Sequence, residues 1–202
     1  MCIRDRRYRR HSKSIQLTLA TDIYQGNTVA LQTRTRNHWL GVSRSYFCHT
    51  FCPGIFMDYK DWRSCSINTF RIYRYSGVGA LRVGDVVGIY HPSTRDWIGC
   101  NGTYCTRNAC PGTPTSVYGF SSRDKWFQCF GSVFRIYVNG KRNGQSIASN
   151  DDILIYYLQG NSYLYMYGSC IRKGSTCPGY SRPPSQTRYD QCSTTVFKIF
   201  KQ

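Results

Sequence analysis

The sequence predicts an all-β protein organised as a threefold internal repeat, and three observations carry that expectation. Strong helix formers are scarce, with five Ala, eight Leu, three Met and no Glu, against 17 Tyr, 10 Phe and many Ile, Val, Thr and Ser; that balance favours strands and loops. The tripeptide Cys-Pro-Gly occurs at Cys52-Pro53-Gly54, Cys110-Pro111-Gly112 and Cys177-Pro178-Gly179. The flanks repeat with it, which is the signature of an internally duplicated chain. Upstream stand "NTVAL" from Asn27, "DVVGI" from Asp85 and "DILIY" from Asp152, then "WLGV", "WIGC" and "YLYM". Downstream, Cys65, Cys129 and Cys192 are each followed five residues on by "FRIY", "FRIY" and "FKIF".

These landmarks divide the chain into a basic arm over 1–25 and one domain over 26–202, with repeats at 26–83, 84–150 and 151–202. Each repeat holds four short apolar or alternating runs bounded by turn residues. In the second they span Val86 to Tyr90, Asp96 to Cys100, Lys125 to Phe130 and Val133 to Val138. Twelve strands are expected, and because four strands cannot close their own apolar face the repeats must share a core. The run "FRIY" places Phe134 and Ile136 inward and Arg135 and Tyr137 outward, the period of a half-buried strand. The matching acids Asp85 and Asp152 read as turn residues. Before the first repeat, Ile15, Leu17 and Leu19 alternate with polar residues and predict an extra strand. It either lies along its own domain or adds to a neighbouring copy.

A threefold repeat of four strands, with an aromatic-Leu/Ile pair in the second strand and Phe-x-Ile in the fourth, resembles the β-trefoil superfamily with its fascin-like and lectin-like members. The resemblance covers 26–202 and implies a β-trefoil-like domain with stapled loops. The Gln-x-Trp signature of ricin-type lectins is absent, so no sugar-binding residue is carried over from them. A small propeller-like or three-module β-array is the alternative.

Charge bears on partners. There are 27 Lys and Arg against 10 Asp, a net charge of +17. Without the start "MCIRDRRYRRHSKS" the rest still has 21 basic against 9 acidic residues, so the folded part is basic too. Such a surface attracts polyanions. No apolar run is long enough to cross a bilayer as a helix. The opening "MCIRDR" resembles translated adapter sequence, leaving Cys2 outside the native count, and no signal peptide is visible in the Arg-rich start.

The cysteines allow three readings. A metal site wants about four ligands, and repeats one and three offer three Cys each, since Val42 and Met166 stand where the second repeat has Cys100. No Cys-x-x-Cys is present for a thioredoxin-like centre. Disulfides are the expectation, with candidates Cys48, Cys52, Cys65, Cys100, Cys105, Cys110, Cys129, Cys170, Cys177 and Cys192. Connectivity is not fixed by sequence; the preferred scheme joins Cys48 to Cys52, Cys105 to Cys110, Cys170 to Cys177 and Cys100 to Cys129, leaving Cys65 and Cys192 paired or free. Disulfides imply an extracellular, secreted or surface-associated protein, and the sequon at Asn101 agrees with that.

Enzyme motifs are lacking: there is no G-x-S-x-G, P-loop, H-E-x-x-H or G-x-G-x-x-G. The expectation is a non-enzymatic protein without cofactor or metal. Two functions remain. One is a structural subunit that self-associates into a filament or matrix through Ile15, Leu17 and Leu19. The other is a lectin-like module whose loop aromatics Tyr46, Phe47, Tyr104, Tyr118 and Tyr180 stack on acidic or sulfated glycans. Nucleic acid is disfavoured as a partner by the oxidising compartment.

Overall fold

The computed structural model describes residues 21–34, 38–49, 65–100, 102–108, 132–174 and 196–202. These residues form twelve strands and a 3₁₀ turn at Ser66–Asn68, with no α-helix among them. The strands are β1 (Thr28–Thr33), β2 (Leu40–Ser43), β3 (Tyr46–His49), β4 (Thr69–Arg74), β5 (Val86–His91), β6 (Asp96–Gly99), β7 (Thr106–Asn108), β8 (Phe134–Val138), β9 (Asp152–Tyr157), β10 (Ser162–Tyr167), β11 (Cys170–Lys173) and β12 (Phe197–Lys201). The run expected at 125–130 and the N-terminal strand of Ile15, Leu17 and Leu19 lie outside the described residues. Strand β7 was not anticipated.

Every pairing is antiparallel. Strands β1, β4, β5, β8, β9 and β12 pair successively, and β12 returns to β1. The ring has no free edge, which removes the hazard of unpaired backbone. The hairpins β2–β3, β6–β7 and β10–β11 project from it and touch one another through β3–β7 and β3–β11. The all-β class is therefore established. The β-trefoil-like expectation is corrected to one closed antiparallel barrel, whose strands pair across the expected repeat borders, β4 with β5, β8 with β9 and β12 with β1.

The repeated motifs have a packing reason. Phe70, Ile72, Phe134, Ile136, Phe197 and Ile199 fill the barrel core with Leu40, Ile98 and Leu164 from the "WL", "WI" and "YL" pairs. The aromatics beside those aliphatics point the other way. Trp39 meets Phe200 at 5.3 Å, Trp97 meets Tyr73 at 5.8 Å, and Tyr163 meets Tyr137 at 6.4 Å. The last residue of each "FRIY" or "FKIF" is thus covered by the aromatic of a neighbouring hairpin. Tyr137 points outward as expected and is nonetheless buried.

One end of the barrel is closed by backbone. The Ile23 N–H donates to the Ile147 carbonyl at 2.8 Å, Ile147 to Leu81 at 2.8 Å, and Leu81 back to Ile23 at 2.7 Å. All three side chains are fully buried. Next to each, an Asn or Asp accepts a backbone N–H three residues upstream: Asn27 from Tyr24, Asp85 from Arg82 and Asp151 from Ala148, at 2.7–2.8 Å. The turn acid of the third set is therefore Asp151, and Asp152 is the first residue of β9. Two adjacent aspartates fit the same repeat position, and Asp151 is the one that accepts from Ala148.

Candidate functional site

The opposite end carries the three hairpins, because β1, β5 and β9 each run from the Ile23, Leu81 and Ile147 end towards the hairpin that follows. There the cysteines that the repeats place in register converge. Cys170 and Cys48 face each other across β11 and β3 and form a disulfide. The third member of the set, Cys105, donates its backbone N–H to Ile171 and accepts from Phe47, so it lies between the same strands. Three convergent thiols cannot all pair among themselves. Cys105 bonds instead to Cys100, the cysteine without a counterpart in the other repeats, whose matched positions Val42 and Met166 are buried aliphatic sites.

The expected pairings of Cys48 with Cys52, Cys105 with Cys110, Cys170 with Cys177 and Cys100 with Cys129 are corrected accordingly. Sequence proximity had suggested local staples, whereas convergence of the hairpins joins cysteines 122 residues apart. Cys65 is also disulfide-bonded, not free. Cys52, Cys110, Cys129, Cys177 and Cys192 lie outside the described residues, as do Asn101, Tyr118 and Tyr180; Gly102 and Thr103 of the sequon are exposed.

Beside the Cys48–Cys170 bond is a cavity of about 290 Å³ lined by Tyr46, Tyr104, Tyr167, Gly168, Ser169 and Cys170. Tyr46 opens β3, Tyr167 closes β10, and Gly168 begins the two-residue turn to β11 at φ 61°, a conformation that favours glycine. Tyr104 reaches the site through a bridge with Arg172. The Tyr46 and Tyr104 rings meet edge to face at 5.9 Å. Tyr46 and Tyr167 are 46% and 53% exposed, so both present part of a ring to solvent beside the cavity.

Arg172 organises the cluster from behind. Its guanidinium carbon lies 3.6 Å from the Tyr167 ring centre and 4.2 Å from that of Tyr104, within the range of cation–π attraction. It also donates a hydrogen bond to the Tyr104 hydroxyl. Of the aromatics singled out from sequence, Tyr46 and Tyr104 are brought together. Phe47 is corrected to a core residue, fully buried against Phe70 at 5.2 Å, because neighbouring residues in a strand face opposite ways. Tyr167 and Arg172 were missed; their spacing in "YGSCIR" becomes informative only once the hairpin turn is known.

No group of three or more His, Cys, Asp or Glu able to hold a metal occurs among the described residues, and none of their helices is long and apolar enough to cross a membrane. His91 is buried beneath the hairpin end. Its Nδ1 is 2.9 Å from the Thr94 hydroxyl and its Nε2 3.0 Å from the Ile67 carbonyl. A carbonyl oxygen can only accept, so Nε2–H donates to Ile67, and Nδ1 is hydrogen-bonded with the Thr94 hydroxyl. Burial pushes its pKa below the usual histidine value, although the Ile67 bond opposes this.

Comparison with known proteins defines the fold more closely. No protein-family model and no curated protein sequence matches the chain. Solved structures do. The SDF2-like protein from Arabidopsis thaliana is 13% identical with a TM-score of 0.55, over 89% of this chain and 94% of that one. This chain has the fold of that protein. A Caenorhabditis elegans protein of unknown function matches at 10% identity and TM-score 0.54, over 89% of this chain and 96% of that chain. The Saccharomyces cerevisiae protein O-mannosyltransferase Pmt1-Pmt2 complex, bound to its sugar donor, matches at 12% identity and TM-score 0.56, over 90% of this chain but 25% of that chain. The fascin-like or lectin-like β-trefoil resemblance drawn from the repeats is thereby corrected to the closed barrel of SDF2-like proteins.

Proposed function

We propose that this chain is a non-enzymatic carbohydrate-binding module of an oxidising, extracellular or lumenal compartment. The observation that carries the reading is the convergence of Tyr46, Tyr104 and Tyr167 around one cavity, with two of the rings left exposed. Exposed tyrosine faces stack on the apolar faces of sugar rings while their hydroxyls meet sugar oxygens. The volume sits at the small end of ligand pockets and suits one ring of a longer glycan. The basic surface favours acidic or sulfated chains, and a structural neighbour bound to a sugar donor agrees with a sugar ligand. We read the twelve strands as three four-stranded units whose hairpins cooperate in this one site.

A glycan array at low and moderate salt tests the proposal. Binding that is lost in Tyr46→Ala and Tyr167→Ala with the fold intact supports it; a wild-type protein that captures no glycan at low salt ends it.

Self-association through Ile15, Leu17 and Leu19 is a second proposal. The described chain enters the sheet through bridges from Asp22 to Ala148 and Tyr24 to Ala80, and the 50% exposed Tyr24 puts that entry at the surface. Size-exclusion of the protein with and without residues 1–20 decides the matter: a monomer in both forms overturns it.

A further inference from the structure

The pocket has a polarity that its lining residues alone do not reveal. Tyr104 lines the cavity, and its hydroxyl oxygen already accepts a charge-assisted bond from Arg172. A phenol that accepts in this way keeps its own O–H to donate, and donates more strongly because the two bonds polarise each other. Arg172 is absent from the lining; two tyrosine rings flank it. Its positive charge therefore acts through Tyr104. Among the described residues no carboxylate lines the cavity. At the tip of the neighbouring β2–β3 hairpin, Arg44 is exposed and held at φ 56°, a left-handed conformation that a residue with a Cβ adopts only at a cost.

Building on the carbohydrate reading above, we infer that the pocket selects a saccharide ring bearing an anionic oxygen, sulfate or carboxylate, which accepts from the Tyr104 hydroxyl. Tyr104 is the specificity-determining contact. Arg172 is a positioning residue that orients and polarises it without touching the ligand. The tyrosine faces supply affinity common to charged and neutral rings, and the Tyr104–Arg172 pair supplies the discrimination.

The experiment compares a sulfated tetrasaccharide with its desulfated counterpart by isothermal titration at fixed ionic strength, using the full chain. Wild type is expected to prefer the sulfated form by about tenfold or more, the worth of one charge-assisted hydrogen bond. Tyr104→Phe keeps the ring and removes the donor, so both ligands should bind with nearly equal affinity. Arg172→Lys keeps a cationic donor and should retain part of the preference, whereas Arg172→Met should lose it. A merely structural Arg172 would weaken both ligands in the same ratio in both variants, and that result overturns the inference. So does a wild type that binds both tetrasaccharides equally, or a Tyr104→Phe protein that keeps the preference. If neither tetrasaccharide binds wild type, the carbohydrate reading itself fails, an outcome distinct from those.

Discussion

The two ends of the barrel are held together by different physics. At one end, Ile23, Leu81 and Ile147 close a ring of backbone hydrogen bonds over fully buried aliphatic side chains. At the other, three hairpins meet through short ladders, the Cys48–Cys170 and Cys100–Cys105 disulfides and a cluster of tyrosines around one arginine. Closely packed apolar groups need no covalent help. The hairpins also bury Leu40, Phe47, Ile98, Leu164 and Ile171 in the shared core, but their outer rim leaves two large rings exposed around a cavity, and there disulfides add cross-links to the packing. One end is thus held by packing and backbone hydrogen bonds alone among its described contacts, and the other by packing and disulfides together.

The sharpest way to break the contrast is to damage the packed end. Leu81→Ala removes a fully buried side chain from the backbone ring and should cost about 2–5 kcal/mol. The loss should appear in denaturant midpoints, with the unfolding transition remaining cooperative. A loss under about 1 kcal/mol would mean that the site collapses around the gap, and that the packed end is not what holds the barrel.

Removing the staple probes the other end. Replacing Cys48 and Cys170 together by serine opens a cross-link spanning 122 residues and should cost about 2–4 kcal/mol. Its signature is local. Amide exchange at Phe47 and Cys105, whose bonds bridge the hairpins, should accelerate, while exchange at Ile147 and Leu81 stays slow. Uniform acceleration at both sets would show that the ends are one cooperative unit.

How far the sequence revealed this arrangement depends on the kind of information each end uses. The strands of the barrel were legible because "FRIY" and its relatives carry a period of two and recur three times. Even the aromatic at the end of each motif had a readable direction. Its burial under a neighbouring hairpin was not readable, because that contact joins residues such as Trp97 and Tyr73 from different repeats. The disulfides failed for the same reason. Alignment of the repeats put Cys48, Cys105 and Cys170 in register, and register in a closed barrel means spatial convergence; nearness along the chain holds for Cys100–Cys105 but not for Cys48–Cys170. The unmatched Cys100 was the available clue, since three convergent thiols need a fourth. Tyr167 and Arg172 belong to no motif, and only the β10–β11 turn aims them at Tyr46 and Tyr104.

His91 gives a smaller, pH-dependent handle on the hairpin end. Its ring lies 5.4 Å from that of Phe70, which packs on Phe47 of β3, and Asp96 and Arg107 are the charged groups that act on it, in opposite senses. The native pKa is depressed, so the unfolded chain takes up a proton near pH 6.5 while the folded ring stays neutral. This group therefore adds stability above that pH, and the contribution is lost as pH falls from about 6.5 towards the lower native pKa. Denaturant midpoints at pH 7.5 and 5.5 should differ more in wild type than in His91→Gln. Parallel pH profiles for the two proteins would remove His91 from the account.

The smallest effect expected is a gain. Arg44 holds φ 56° in the β2–β3 turn, where a side chain is crowded against its own backbone and glycine is not. Arg44→Gly should relieve part of that strain, offset by the greater freedom glycine has in the unfolded chain, for a net stabilisation of about 0.5 kcal/mol. If the strain is tolerated because a cation is needed beside the pocket, the same variant should bind a sulfated tetrasaccharide less tightly while binding its desulfated form unchanged. Stability and binding would then move in opposite directions at one residue. A variant that gains stability and keeps its affinity for the sulfated ligand would make Arg44 an ordinary turn residue, and leave the discrimination to Tyr104 and Arg172 alone.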